Sequence, residues 1–327
     1  MKFGKVPTVD ALGALLAHSV ALPQGRLRKG VVLDADHLAQ LRAAGIDAVT
    51  VARLAATDVD ENTAAARLAQ ALLADHPHLS QTKAFTGRVD LLADGPGVAV
   101  LEVAALEAVN AVHPMITLAT VPPFQQMRAG GMVATIKIIS YGVDEGDLIR
   151  ACNAGRGGIR LADPQLPDAT LIITEIDGGA GDKGREAIAD RLAALRVTLK
   201  DVVMVGHDVS ALSQAIAAAD TSLILILTGS ATSDIDDVAP SALRAAGGQV
   251  ARFGMPVDPG NLLFLGTLGS RQVIGLPGCA RSPALNGADW VLSRIVCGIA
   301  VTPGDIAGMG VGGLLKEIAT RPQPRRG

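Results

Sequence analysis

Short apolar runs alternate with longer amphipathic segments throughout the second half of the chain. The runs at 170–174, 202–205, 223–227 and 250–253 predict strands, and the segments 185–195, 208–219 and 239–246 between them predict helices. A hairpin over 262–275 and a helix over 285–297 complete the pattern. Continuous apolar strands separated by crossover helices are typical of a parallel sheet covered on both faces. We therefore predict an α/β fold with a doubly wound C-terminal domain over residues 166–304.

The first half has a less regular pattern. Apolar residues recur at helical spacing behind Thr8 (Val9, Leu12, Leu15 and Leu16) and predict an N-terminal helix. Strands at 31–33 and 48–51 around a helix at 36–44 predict a small α+β unit over residues 1–56. An Ala-rich helix within 57–82 and alternating segments joined by glycine turns over 83–143 predict a mainly β accessory module spanning 57–165. Residues 305–327 are expected to form a surface tail.

The amino-acid composition disfavours some classes of partner. Apolar residues make up 49% of the chain and charged residues 19%, which is typical of a globular protein, and no apolar run reaches the roughly 18 to 20 residues of a spanning helix. We expect no membrane partner. Aromatic residues make up 2% and the net charge is −3, which disfavours nucleic acid as a partner. The three cysteines, Cys152, Cys279 and Cys297, form no CxxC pair, so we expect a reducing compartment, the cytoplasm.

Ligands of open parallel sheets bind at the carboxyl ends of the strands, so the loops there are the candidate site. The first loop, TEIDGGAGDKG from Thr174, contains a formal GxGxxG over 179–184. With Asp208 further on, this is compatible with a dinucleotide site. The alternative is a flexible surface loop, because glycine-rich loops are common.

The loop after the strand at 223–227 reads TGSATSDIDDVAP and has the chemistry of an anion site. Gly229 allows close backbone approach, the neighbouring hydroxyl groups can donate, and the following helix presents amide donors. Asp234, Asp236 and Asp237 would repel phosphate unless a divalent metal stands between them. The alternative is that Asp236 or Asp237 caps the helix that contains Pro240.

Two later loops each contain a Pro-Gly pair, at Pro259-Gly260 and Pro277-Gly278, which favours rigid turns with exposed amide groups. Arg281, beside Ser282 at a helix start, is a candidate phosphate ligand. Its alternative is a surface arginine paired to an acid.

These loops in this order resemble the molybdenum-cofactor biosynthesis domain shared by molybdopterin adenylyltransferases, molybdopterin molybdenumtransferases and gephyrin. Asp182-Lys183-Gly184 resembles the D-K-G of the adenylyltransferases, and Thr228–Thr232 with Asp237 falls where the family has T-G-G-T-G and an aspartate. Pro259–Asn261 resembles the P-G-K-P of the molybdenumtransferases, and Leu276–Ser282 resembles their L-P-G-N-P-x-S. The first half is similar only in style to the accessory domains of molybdenumtransferases.

The resemblance implies a pocket for the pterin and its terminal phosphate. It implies catalytic roles for Asp237 and Asp208, with Mg²⁺ held by Asp237 and molybdate as a further ligand. The binding residues that it implies are Thr174, Asp182, Lys183, Gly184, Thr228, Gly229, Ser230, Pro259, Gly260, Pro277, Gly278, Arg281 and Ser282.

The chain also departs from the family pattern. Ser230 and Thr232 replace glycines, and His207 stands where the family has the first of two acids. Asn261 replaces a lysine and Cys279 an asparagine, where a thiol raises the question of a metal or sulfur contact. These changes favour binding over catalysis.

The leading hypothesis is a molybdopterin-binding protein that acts in biosynthesis or handling of the molybdenum cofactor, with metal insertion as the candidate reaction of a transferase. The alternatives are a non-catalytic carrier or sensor for a partner molybdoenzyme, and an NAD(P)-binding oxidoreductase that uses Gly179–Gly184. Related domains form dimers or trimers, so we expect a homo-oligomer.

Overall fold

The computed structural model describes residues 1–315. The chain divides into two compact units, one made of residues 1–95, 99–123 and 129–161, the other of residues 96–98, 124–128 and the chain from 162 onward. The predicted boundaries at residues 56, 165 and 304 stay predictions.

The elements of the first 162 residues are short. The strands are β1 (Lys2–Pro7), β2 (Leu15–Leu16), β3 (Val20–Leu22), β4 (Gly25–Leu27), β5 (Ala48–Arg53), β6 (Asp58–Asp60), β7 (Leu79–Gln81), β8 (Arg88–Ala93), β9 (Gly97–Leu101), β10 (Ile116–Thr120), β11 (Gln126–Met127), β12 (Met132–Ile138), β13 (Gly142–Asp144) and β14 (Ile159–Ala162). The helices are α1 (Ala35–Ala43), α2 (Glu61–Leu73), α3 (Val103–Val112) and α4 (Glu145–Gly155), with a 3₁₀ turn at Thr8–Asp10.

The predicted N-terminal helix behind Thr8 is wrong. Strand β1 pairs antiparallel with β5, only a single 3₁₀ turn follows it, and Gly13 takes a φ of 71°. Val9 and Leu12 are 62% and 56% exposed although their spacing is helical, so these positions do not form one buried face. The strand predicted at 31–33 is reduced to one isolated bridge from Val32.

The middle of the first unit combines a sheet with helices. Strands β10, β12, β8 and β7 form an antiparallel sheet in that order, and α2 packs against β8 and β12. Asp60 begins α2 by accepting hydrogen bonds from the amides of Asn62 and Thr63. Helices α3 and α4 pack together where strands were expected to dominate, so the accessory region is richer in helix than predicted.

The second unit contains the alternating elements. These are β15 (Asp168–Glu175), α5 (Arg185–Ala194), β16 (Thr198–Gly206), α6 (Val209–Ala218), β17 (Leu223–Leu227), α7 (Val238–Ala245), β18 (Gln249–Phe253), β19 (Phe264–Leu268), β20 (Arg271–Leu276), a 3₁₀ turn at Gly278–Arg281, α8 (Gly287–Val296) and α9 (Pro303–Gly308). The sheet order is β16-β15-β17-β20-β19-β18. The first four strands are parallel, and β19 runs antiparallel to both of its neighbours.

Apolar side chains bury both faces of this sheet. Leu171 and Leu225 pack with residues of α5 and α8 on one face, whereas Ile172 and Ile226 pack with residues of α6 and α7 on the other. All five residues of β17 are buried. Because period-two alternation sends successive residues to opposite faces, a strand covered on both sides must be apolar throughout. The predicted doubly wound α/β domain is confirmed.

The predicted tail is only partly described. Helix α9 begins after a capping box of Thr302 and Asp305 and buries Ile306. Beyond it, the Leu315 amide donates to the carbonyl oxygen of Asp258, and residues 316–327 lie outside the described part of the chain. Among residues 1–315, no helix is long and apolar enough to cross a membrane.

Candidate functional site

One edge of the six-stranded sheet collects the predicted loops. Strands β15, β16, β17 and β20 are parallel, and β18 runs in the same direction because two antiparallel pairings separate it from β20. Their carboxyl ends therefore share an edge, from which the loops 176–184, 207–208, 228–237, 254–263 and 277–286 emerge.

Arg281 joins three of these loops through main-chain oxygen atoms. Its Nη2 donates to the carbonyl oxygen of Thr228 at 2.8 Å, and its Nη1 donates to those of Lys183 and Gly181. Gly184, at a φ of 101°, packs so closely that a Cβ there would lie 2.7 Å from the Arg281 Cα. Burial lowers the pKa of the guanidinium. Arg281 thus fixes the shape of the loops, and its contact with a phosphate group stays a prediction.

Thr174 is the second junction at this edge. Its side chain is buried at the end of β15, and its Oγ1 accepts a hydrogen bond from the Gly229 amide at 2.9 Å. The same oxygen lies 2.8 Å from Nδ1 of His207, which follows β16. A Cβ on Gly229 would stand 2.6 Å from the Thr174 carbonyl oxygen, so only glycine fits there without a backbone shift.

The loop after β17 leaves a row of amide donors open. Thr228 Oγ1 donates to the Ser230 carbonyl oxygen at 2.6 Å and lies 3.3 Å from Thr232 Oγ1, which curls the loop. Within residues 1–315, the amide groups of Ser230, Ala231 and Thr232 have no hydrogen-bond acceptor. Consecutive open amides suit an anionic oxygen ligand.

Both aspartates predicted to be catalytic act as helix caps. Asp237 begins α7, with Oδ1 accepting from the Val238 amide at 2.7 Å and Oδ2 from the Ser233 amide at 2.9 Å. The Ser233 bond is the main cause of a lowered pKa at Asp237. Asp208 begins α6 and accepts from the Ala211 amide at 2.8 Å. The capping alternative therefore describes what these side chains do in the structure.

The aspartate side chains of this loop bind protein groups and do not converge as metal ligands. Asp236 pairs with Arg244 at 2.7 Å, and Asp234 accepts from the Asp236 amide. No three His, Cys, Asp or Glu side chains converge as a metal site in the described part of the chain. The Asp237 metal site stays a prediction.

Four further predicted residues are accessible at the same edge. Asp182 and Lys183 are exposed, and among residues 1–315 no carboxylate pairs with the Lys183 ammonium. Gly278 is exposed with open space where a Cβ would be, after the buried Pro277. Ser282 Oγ accepts from the Ala284 amide at 3.2 Å. The nearby thiol of Cys279 is half-buried, which raises its pKa.

The Pro259-Gly260 pair packs against the start of α8. Gly260, at a φ of 143°, is buried, and a Cβ there would lie 2.8 Å from the Gly287 nitrogen at the start of α8. The Pro259 carbonyl oxygen accepts from the same amide at 2.8 Å. The Asn261 side chain donates to the Met255 carbonyl oxygen at 3.4 Å. This loop supports α8, and its proposed ligand contact stays a prediction.

Sequence reasoning missed Arg191, on α5. Its Nε pairs with Asp289 at 2.5 Å, and both side chains are nearly buried, at 11% and 13% exposure. Its remaining donors bind the carbonyl oxygens of Ala187, Ala280, Ser282 and Ala284. All five guanidinium N–H groups are thereby used, and three of them hold the 280–284 loop. Arg191 and Asp289 are 98 positions apart in the sequence. Sequence patterns report on nearby residues, so they could not predict this ion pair.

Two parts of the chain match models of known protein families. Residues 170–295 match the family model described as "Probable molybdopterin binding domain". Residues 5–53 match a second model, described as "Domain of unknown function (DUF8806)". No curated protein matches the chain.

Several solved structures are similar in part. A molybdopterin biosynthesis MoeA protein from Pyrococcus horikoshii is 14% identical, with a TM-score of 0.32, over 90% of this chain and 75% of that one. A molybdopterin biosynthesis protein from Mycobacterium abscessus is 16% identical, with a TM-score of 0.29, over 41% of this chain and 92% of that one. The molybdopterin biosynthesis enzyme MoaB from Thermus thermophilus is 17% identical, with a TM-score of 0.29, over 46% of this chain and 100% of that one. From the family model, residues 170–295 of this chain belong to the molybdopterin-binding domain family of molybdenum-cofactor biosynthesis.

Proposed function

We propose that the carboxyl edge of the second unit's sheet binds molybdopterin, and that the protein acts in the biosynthesis or handling of the molybdenum cofactor. The observation that carries the proposal is the loop arrangement around Arg281. Its guanidinium holds the loops that present Lys183 and the open amides of Ser230 to Thr232 at one edge.

The chemistry of this edge suits the two ends of such a ligand. The terminal phosphate needs several N–H or O–H donors and a cation, which the amides, the Ser230 hydroxyl and the Lys183 ammonium supply. A flat pterin ring needs a surface without projecting side chains, which Gly278 provides. Molybdopterin would supply the dithiolene that carries the metal, while the residues of this chain bind and orient it.

A non-catalytic carrier is the second candidate. It is favoured by the caps at Asp208 and Asp237, whose carboxylates are engaged by helix amides. The transferase candidate would instead use Asp237 in metal insertion. We do not propose the NAD(P) alternative, because nine residues separate β15 from α5 and Gly184 packs against Arg281.

Fluorescence titration with purified molybdopterin tests the binding. We expect wild-type protein to bind at micromolar concentration and Lys183→Ala to bind more weakly, with a loss that shrinks at high salt. Lys200→Ala is the matched control, because Lys200 pairs with Asp220 at the surface. Absence of wild-type binding would refute the proposal. Supplying ATP, Mg²⁺ and molybdate then separates the candidates, since a carrier binds without turnover.

Three further proposals accompany this function. A homo-oligomer, dimer or trimer, is testable by analytical ultracentrifugation, where a single monomeric species would contradict it. A cytoplasmic location and a molybdoenzyme partner are testable by fractionation and by measuring cofactor transfer to a purified apo-molybdoenzyme.

A further inference from the structure

His207 is placed between two parts of the candidate site. It follows β16, is half-buried, and its amide donates to the Glu175 carbonyl oxygen at 3.1 Å. Its Nδ1 lies 2.8 Å from Thr174 Oγ1, the oxygen that also receives the Gly229 amide. The imidazole is therefore linked through one hydroxyl group to the start of the open-amide loop.

The hydrogen bonds of Thr174 assign the proton on this ring. A hydroxyl group has one hydrogen to donate. The Gly229 amide is a donor to Thr174 Oγ1, and within residues 1–315 the only acceptor near this hydroxyl is His207 Nδ1. When the hydroxyl hydrogen points to Nδ1, the neutral ring carries its own hydrogen on Nε2, and this is the tautomer that we assign.

That second nitrogen has no partner in residues 1–315. The neighbouring acids are engaged elsewhere: Asp237 binds the amides of Ser233 and Val238, and Asp208 binds that of Ala211. Asp237 is close enough for His207 to be among the smaller causes of its lowered pKa, but no ion pair forms between them. The Glu175 side chain is exposed.

We infer that His207 is a ligand-contacting residue, whose Nε2–H donates to an anionic oxygen of the bound molecule beside the amides of Ser230 to Thr232. This inference rests on the proposed binding function and adds a specificity-determining side chain to it. Thr174 is the positioning residue, because its hydroxyl fixes which nitrogen keeps the hydrogen. An acid at position 207 would repel the same oxygen, whereas a histidine N–H can donate to it. His207 therefore favours direct binding of a phosphate group.

Two substitutions of His207 distinguish direct contact with the ligand from a purely structural hydrogen bond to Thr174. In His207→Gln the distal amide group replaces Nε2–H as a donor, whereas in His207→Asn the proximal amide can only replace the acceptor for Thr174. We expect the Asn variant to bind molybdopterin about 10- to 100-fold more weakly, the loss of one hydrogen bond to a charged group, and the Gln variant to recover most of the affinity. His76→Asn, in the first unit, is the control.

Nitrogen NMR of the imidazole gives a readout independent of molybdopterin. We expect the Nε2–H form in free protein and a shift of the Nε2 signal on titration with inorganic phosphate. Failure of wild-type protein to bind molybdopterin would refute the proposed function alone if the phosphate shift is present. An Nδ1–H form, an unmoved Nε2 signal with phosphate, or equal losses in the Gln and Asn variants would overturn the assignment of His207.

Discussion

Arg281 and Thr228 are joined by a hydrogen bond of 2.8 Å from the guanidinium Nη2 to the main-chain carbonyl oxygen. The same side chain reaches the Lys183 carbonyl oxygen with its other terminal nitrogen. The loops after β15, β17 and β20 are thus held together by one cation. Because its bonds go to oxygens of the backbone, they depend on where the loops run and not on which side chains they carry.

Replacing Arg281 should therefore affect both stability and binding. We expect Arg281→Ala to lower the free energy of unfolding by about 1.5–3 kcal/mol, since hydrogen bonds from a charged group to main-chain carbonyls are lost. Arg281→Lys should not recover the loss, because one ammonium lacks the planar fork. Urea denaturation measures the effect, and Arg42→Ala, on exposed α1, is the control. Unchanged stability in Arg281→Ala would contradict this role.

Asp237→Ala should cost about 1 kcal/mol, the value of a helix cap. The pKa of Asp237 is lowered in the folded protein, so its carboxylate stabilises the fold above the ordinary aspartate pKa. This contribution is lost as the pH falls through the lowered pKa. The stability difference between wild type and Asp237→Asn should accordingly be full at neutral pH and shrink in acid. A difference that grows on acidification would show that the sign is wrong. If the protein is a transferase, turnover should also vanish in Asp237→Ala.

Arg191→Met should be far more destabilising than loss of an exposed pair. Removing one partner of the nearly buried Arg191–Asp289 pair leaves a carboxylate without its cation, which costs about 3–5 kcal/mol. Arg244→Ala breaks the exposed pair with Asp236 and should cost no more than about 1 kcal/mol. Equal costs, measured by chemical denaturation, would mean that the Arg191 network adds nothing beyond a surface contact.

Alanine at two glycines should separate folding from binding. At Gly278 a Cβ meets open space, so stability should change by less than about 0.5 kcal/mol while molybdopterin binding weakens. At Gly229 a Cβ would collide with the Thr174 carbonyl oxygen, so both stability and binding should fall. Thermal unfolding and a fluorescence titration measure the two properties. Wild-type affinity in Gly278→Ala would remove this surface from the proposed ring site.

The second unit was predicted well because the burial of each of its strands is visible in the residues of that strand. The strand Leu223–Leu227 is apolar throughout since helices cover both faces, and that requirement is visible in the residues themselves. The N-terminal helix failed because Val9 and Leu12 have helical spacing without burial, while β5 supplies a pairing partner about 45 residues away. The hydrophobic periodicity of a segment contains no information about a strand that pairs with it from so far along the chain.

The candidate site was predictable in its location but not in its contacts. Parallel strands bring their carboxyl ends to one edge, so the loops that contain Gly229 and Arg281 were expected there, and the family resemblance added Thr174. What Arg281 binds could not be predicted, because its partners are main-chain oxygens 53 and 98 residues away. For the same reason the donor state of His207 needed the Thr174 geometry.

The five-donor network of Arg191 has one further consequence. Together with Arg281 it keeps the 280–284 turn in a fixed conformation before any ligand arrives. A preorganised receptor loses little conformational entropy on association. Association should then resemble the docking of a rigid body, with amide exchange in these turns already slow in the free protein and little slower in the complex.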